Sequence, residues 1–201
     1  MTFYIETERP HLGGYIEGGD AATWYPDLWD WLVFVQGVRS VIDVGCGEGH
    51  AARYFADAGC DVTGIDGVLQ VSENWQFYMH DYTRGPWPTE VYGSQLEKGA
   101  TDLVWSCEFV EHVAEEHVPN FLATFQMARA VLLTHAEPGQ AGHHHVNCQP
   151  AAYWKGAMAA VGFRYDEEFT QQARARAALN HHPSNHFVRS GLAFVTIREA
   201  S

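Results

Sequence analysis

The stretch VIDVGCGEGH, residues 41–50, decides how the rest of the chain reads. An apolar run ends at Asp43 and Val44, the chain turns through Gly45, Cys46 and Gly47, and a helix is expected to start near Glu48 or Gly49. Glycines in such a turn let the backbone come close to a ligand at the mouth of a parallel sheet, where open α/β folds bind their ligands. The dinucleotide fingerprint GxGxxG is not met, because His50 stands in the place of its third glycine. That weakens a nicotinamide reading.

Outward from this turn, short apolar runs alternate with helical patterns, the signature of βαβ units. Strands are expected at 40–44 (SVIDV), 61–66 (DVTGID), 76–81 (QFYMHD), 102–106 (DLVWS) and 130–135 (AVLLTH), then at 163–168 (FRYDEE) and 192–197 (LAFVTI). Between them, Ala51, Tyr54, Phe55 and Ala58 mark one helix, and Val118, Phe121, Leu122 and Phe125 mark another that starts at Pro119. A third covers 149–162, with Trp154, Met158 and Val161 inward. Upstream, a Gly-rich loop leads into a helix in which Trp24, Leu28, Trp31, Leu32 and Val35 fall at i, i+4, i+7, i+8 and i+11. The loop 11–23 and the polar segment 170–191 are expected to wall a pocket, with Tyr15, Trp24, Tyr25, Trp154 and His186 as wall residues.

A chain of 201 residues fits one domain with a full core. Its apolar runs are far shorter than the roughly 20 residues a spanning helix needs. The opening MTFYIETERP carries acids early and lacks an apolar h-region, so a cytoplasmic location is the expectation. Cys46, Cys60, Cys107 and Cys148 are scattered and form no CxxC pair, which points to reduced thiols. The formal net charge of −13, with Lys and Arg spread out, disfavours a nucleic-acid partner.

DVGCGEG resembles the first motif of the class I S-adenosylmethionine-dependent methyltransferases, an acid followed by GxGxG, and the resemblance extends over about 38–198. It implies an α/β, Rossmann-like, doubly wound sheet of seven mostly parallel strands, with helices on both faces and the last strand antiparallel. One domain over 1–201 would hold a lid loop and helix (1–37) ahead of the core. The resemblance further implies that Gly45, Cys46 and Gly47 line the methionine and ribose part of S-adenosylmethionine or its product S-adenosylhomocysteine, and that Asp43 helps hold the amino group. Asp66, followed by Gly67, would accept from both ribose hydroxyls, Asp81 would receive the adenine amino group, and Tyr82 would offer its backbone N–H to the ring. Ser106 and Cys107 would pass along the cofactor.

Directly after the fourth strand comes WSCEFVEHV (105–113). On a helix, Glu108, Glu111 and His112 share one face, because offsets of three and four bring side chains together. The ExxEH pattern is similar to that of ubiquinone-pathway and small-RNA O-methyltransferases, in which such residues help hold a divalent metal. That likeness makes Glu108, Glu111 and His112 metal-ligand candidates. Three readings stay open: a metal site, a general base supplied by His112 or the cluster His143, His144 and His145, and the acidic first turn of a helix. If 143–145 is extended, His143 and His145 face one way and His144 the other. The expected activity is methyl transfer to a small-molecule acceptor, most simply a hydroxyl oxygen, with Glu111, His112, His144 and His145 as catalytic candidates. N-methylation, glycan or peptide methylation, and cofactor binding without transfer are the alternatives.

Overall fold

The computed structural model describes residues 3–5, 8–70, 72–88 and 98–197, so the expected domain ends at 1–2 and 198–201 lie outside the described residues. The seven apolar runs all become strands of one sheet. β1 (Phe3–Ile5) and β2 (Gly13–Ile16) form a separate antiparallel pair. The sheet itself consists of β3 (Ser40–Val44), β4 (Asp61–Asp66), β5 (Gln76–Met79), β6 (Thr101–Ser106), β7 (Ala128–Leu133), β8 (Phe163–Tyr165) and β9 (Leu192–Thr196), in the order β5-β4-β3-β6-β7-β9-β8. β3 to β7 pair in parallel, and β9 runs antiparallel to both its neighbours, β7 and β8.

Strand side chains alternate between two cores, as the period of two requires of a sheet buried on both faces. Ile42, Val44, Ile65, Val104, Val131 and Leu133 share one core with Phe121 and Phe125 of α3 (Val118–Phe125) and Trp154 and Met158 of α4 (Ala151–Ala160). Val41, Val62, Leu103, Trp105 and Leu132 share the other with Leu28 of α1 (Pro26–Asp30), Phe55 of α2 (His50–Asp57) and Ala173 of α5 (Glu167–Ala177). The sheet order reverses at β3 and β6, and the crevice beyond such a reversal is where α/β folds bind ligands.

Three local expectations give way. The helix expected to run from Trp24 to Val35 is α1 followed by a π turn over Trp31–Val35, closed by the Gln36 N–H on the Trp31 carbonyl at 3.0 Å. Leu28, Trp31 and Leu32 are buried as expected and Trp29 and Val33 join them, while Val35 at the end of the wider turn and Trp24, which precedes α1, are exposed. Strand 163–168 stops at Tyr165, because the Asp166 carboxylate accepts the Phe169 N–H at 3.0 Å and caps α5. The segment 170–191 is therefore largely helical. α5 lies on the sheet through Thr170, Ala173 and Ala177, and α6 (His186–Ser190) follows.

Candidate functional site

A cleft of about 690 Å³ opens where β3, β4 and β6 end, within the size range of small-molecule and cofactor sites. One half is built by the glycine turn. The N–H groups of Gly45 and Cys46 donate to the Ile65 carbonyl at 2.8 and 3.2 Å, and Gly47 N–H donates to Asp66 Oδ2 at 2.9 Å. Gly45 sits at φ +76°, and a Cβ there would lie 2.5 Å from the Phe109 ring. Asp66 also accepts the Val68 N–H on Oδ1 at 3.0 Å, which leaves each of its oxygens one further lone pair. Asp81 Oδ1 accepts the N–H and hydroxyl of Thr83, and His11 Nε2 lies 3.1 Å from Oδ2. Burial works to raise the Asp81 carboxyl, but these bonds hold it below the ordinary range.

Asp43 is buried at the end of β3, and its Oδ2 has no hydrogen-bond partner. Burial, helped by the charge of Asp66, pushes its pKa up to about 8. This carries a sign that can be checked. Between the unfolded value of 3.8 and about 8 the folded ligand-free protein holds a proton that the unfolded chain has released, so stability falls as pH rises through that window. Asp43→Asn is expected to unfold at a higher temperature than the parent at pH 8 and to match it near the unfolded pKa of 3.8. Parallel melting curves for the two proteins at every pH would overturn this.

In the other half, the expected helix face is not formed. Glu108 takes φ +52°, its N–H donating to Thr134 Oγ1 at 2.7 Å, and Val110–His112 form a single 3-10 turn. Glu108 consequently parts from Glu111. Its Oε1 accepts the Thr134 hydroxyl at 2.9 Å, and its Oε2 lies 3.0 Å from His186 Nδ1. Burial alone would raise the Glu108 carboxyl, but His186 brings it below its usual value. His186 also faces Asp20 Oδ2 at 3.7 Å. Burial opposes its charge, yet the two carboxylates outweigh that and raise its pKa to about 9.

Glu111 lies beneath this surface, completely buried, with neither carboxylate oxygen partnered. Its oxygens and the ring nitrogens of His112 and His145 offer one ligand atom each, all within 4.8 Å of one another. Burial and the Glu108 charge push Glu111 up to about 8. Burial and His145 push His112 down to about 4, so its imidazole is neutral. His145 Nδ1 lies 3.1 Å from the Gln140 carbonyl, an acceptor only, so Nδ1 is the donor in that pair and Nε2 is the ring nitrogen free to meet a ligand. All of His143, His144 and His145 line the cleft, against the expected alternation, because His144 adopts φ +47° and turns the chain.

Of the residues expected along the cofactor, Asp43, Gly45, Cys46, Gly47, Asp66, Gly67, Asp81, Tyr82 and Cys107 line the cleft. Ser106 does not line it: its buried hydroxyl donates to the Val44 carbonyl at 3.0 Å and ties β6 to β3. Of the expected wall residues, Tyr15 and His186 line the cleft, Tyr25 and Trp154 are core, and Trp24 packs edge-on against Trp29 and Tyr54. Sequence reasoning missed His11, Asp20, Phe109 and Thr134, whose partners are distant in the chain.

With this geometry in place, the known proteins it resembles are informative. A family model described as a methyltransferase domain matches residues 30–168, more than half of the chain. The chain belongs to this methyltransferase-domain family. It is an S-adenosylmethionine-dependent methyltransferase. No curated protein sequence matches it. Among solved structures, magnesium protoporphyrin IX methyltransferase from Synechocystis PCC 6803 with bound S-adenosylhomocysteine is similar at TM-score 0.55 and 17% identity, over 85% of this chain and 80% of that one. A TehB-like S-adenosylmethionine-dependent methyltransferase from Corynebacterium glutamicum is similar at TM-score 0.55 and 15% identity, over 90% and 91%. The sarcosine dimethylglycine methyltransferase assigned in Galdieria sulphuraria is similar at TM-score 0.55 and 12% identity, over 85% and 84%. At these identities the likeness is one of fold. Among the described residues, no helix is long and apolar enough to cross a membrane.

Proposed function

We propose that this methyltransferase methylates a hydroxyl oxygen of a small molecule with the help of a divalent ion held by Glu111, His112 and His145. The observation that carries this reading is the Glu111 carboxylate, buried with both oxygens unpartnered beside two imidazoles. Buried polar groups are hydrogen-bonded as a rule, and a carboxyl without partners there must hold a proton, as the raised pKa of Glu111 allows, or be answered by a cation that takes the proton's place. One carboxylate and two imidazoles suit a divalent transition-metal ion. Glu108, included with these residues on sequence grounds, is instead engaged by Thr134 and His186. A base role for His112 fits less well, since a pKa of about 4 makes it a weak acceptor at neutral pH.

S-adenosylmethionine supplies a methyl group on a sulfonium sulfur, open to attack by a nucleophile. The unpartnered Asp43 Oδ2 fits an ammonium donor, and the spare lone pairs of Asp66 fit two hydroxyls. Gly45, Cys46, Gly47 and Gly67 bring backbone close to the ligand, Asp81 and the Tyr82 N–H serve the adenine, and Cys107 lies alongside. An ion at Glu111, His112 and His145 would lower the pKa of an acceptor hydroxyl. Neutral His144, its pKa lowered chiefly by burial, is then available to take the released proton. Alignment of acceptor oxygen and methyl carbon supplies a large share of the acceleration. Among the described residues lining the cleft, Arg189 is the sole Lys or Arg, a poor match to a polyanionic backbone and a better one to a small acceptor.

Two titrations test this reading. Calorimetry with S-adenosylmethionine should show binding in the micromolar range, and Asp66→Ala should weaken it by roughly 1–3 kcal/mol through stranded hydroxyls. Unchanged affinity would remove Asp66 from the site. Titration with Mn²⁺ should show one ion taken up and released to a chelator, and a wild-type protein that takes up none would end the metal half of the proposal.

A further inference from the structure

Asn147 is the buried polar residue that neither the fold nor the cofactor half explains. It is 2% exposed, and neither its Oδ1 nor its Nδ2 has a partner. An amide has four hydrogen-bonding positions, so leaving all of them empty inside a protein calls for a physical cause. Its surroundings are set by two backbone bonds: the N–H groups of Val146 and Asn147 both donate to the Glu111 carbonyl at 3.0 Å. These bonds fasten the segment after the histidine run onto the turn that carries Glu111 and His112. Along that segment burial alternates, with His145 half-buried, Val146 48% exposed and Asn147 buried. Two successive N–H groups converging on one carbonyl curl the chain at Asn147, two residues beyond His145, whose ring packs edge-on to that of His112 at 5.0 Å.

From this placement we infer that Asn147, through Oδ1, is a fourth protein ligand of the ion held by Glu111, His112 and His145. The inference rests on the metal reading above. Two carboxylate oxygens and both amide atoms lie unpartnered on residues joined by a backbone hydrogen bond, and a single cation answers the acceptors among them. An amide oxygen is an ordinary ligand for hard and borderline divalent ions. The set becomes two oxygens and two nitrogens, still short of the six positions such ions commonly fill, which leaves room for a chelating acceptor.

The experiment compares Mn²⁺ binding, by calorimetry and by the loss of the free-ion EPR signal, in the wild-type chain, Asn147→Ala and Asn147→Asp, with melting temperature in chelator as the check on folding. Asn147→Ala should bind Mn²⁺ at least tenfold more weakly, while Asn147→Asp, which keeps an oxygen in place, should bind as tightly as wild type or tighter. Equal affinity in Asn147→Ala overturns the inference. So does an Asn147→Asp protein as weak as the alanine variant, since only a role as N–H donor would suffer from both changes. If Asn147→Ala does not fold, the aspartate variant decides by the same criterion. Failure of the parent reading looks different: wild type itself would take up no Mn²⁺, and Asn147 would fall with it.

Discussion

Glu111→Gln is expected to be as inactive as the wild-type protein stripped of its ion, with chelator having no further effect on it. The variant keeps the shape of the side chain and removes the one charged oxygen donor of the Glu111, His112 and His145 group. Changing a residue merely behind a metal ligand costs about 10–100-fold in affinity or activity, so loss of the ligand itself should exceed that. A Lewis acid is worth several kcal/mol of barrier, at about 1.4 kcal/mol per tenfold, which puts the expected loss of methyl transfer at roughly a hundredfold or more. S-adenosylmethionine affinity should barely change, because Asp43, Asp66 and the glycine turn are intact. Methylation of a catechol probe, run with Mn²⁺ and with chelator, reads this out. A Glu111→Gln enzyme that still responds to Mn²⁺ as the parent does would remove Glu111 from the site.

The second large effect is expected at Gly45, where one added methyl group should damage both halves of the cleft. At φ +76° an alanine meets the left-handed penalty of about 1–2 kcal/mol. Its Cβ would also sit 2.5–2.8 Å from three Phe109 side-chain atoms, so that ring has to move, at the roughly 1–3 kcal/mol of an overpacked core. Phe109 leads directly into Val110, Glu111 and His112, and its carbonyl accepts the His112 N–H at 2.9 Å. Displacing it disturbs the metal turn as well as the cofactor turn. Gly45→Ala should therefore lower the melting temperature and weaken both S-adenosylmethionine and Mn²⁺ binding. Loss of one affinity with the other untouched would show that Phe109 does not couple the two.

Much of this was open to sequence reading because the informative residues are local. Strands β3 to β7 are runs of apolar residues with turn signals at their ends, and Asp43, Asp66 and Asp81 are recognisable because the first is next to last in its strand, the second closes its own and the third follows one by two residues. The helix α5 was missed, although Asp166 as cap, Glu167 and Glu168 in the first turn and Arg174 and Arg176 in the last are standard signs, because its buried stripe of Thr170, Ala173 and Ala177 is too small-sided to stand out as apolar. The β1–β2 pair hid behind Gly13 and Gly14, which read as loop. What could not be read is what depends on unusual backbone. At the end of the π turn Val35 is exposed, where a 3.6-residue pattern places it inward. The positive φ of Glu108 splits the ExxEH motif, and that of His144 gathers three histidines where alternation separates them. Glu108 and His186 meet only because α6 returns to the cleft, and no spacing rule links them.

The covering loop joins the two halves of the cleft. Leu12 lies against Gly67, Tyr15 over Gly47, His11 against Asp81, the Gly18 N–H on Glu48 at 2.9 Å, and Asp20 beside His186. The first four contacts fall on the cofactor half, whereas Asp20, with Gly14 against the His143 ring and His11 beside that of His144, reaches the acceptor half. One loop therefore borders both halves of a single cleft. Donor and acceptor thus share a roof, and a change in the loop that reshapes the seat of one is felt at the seat of the other.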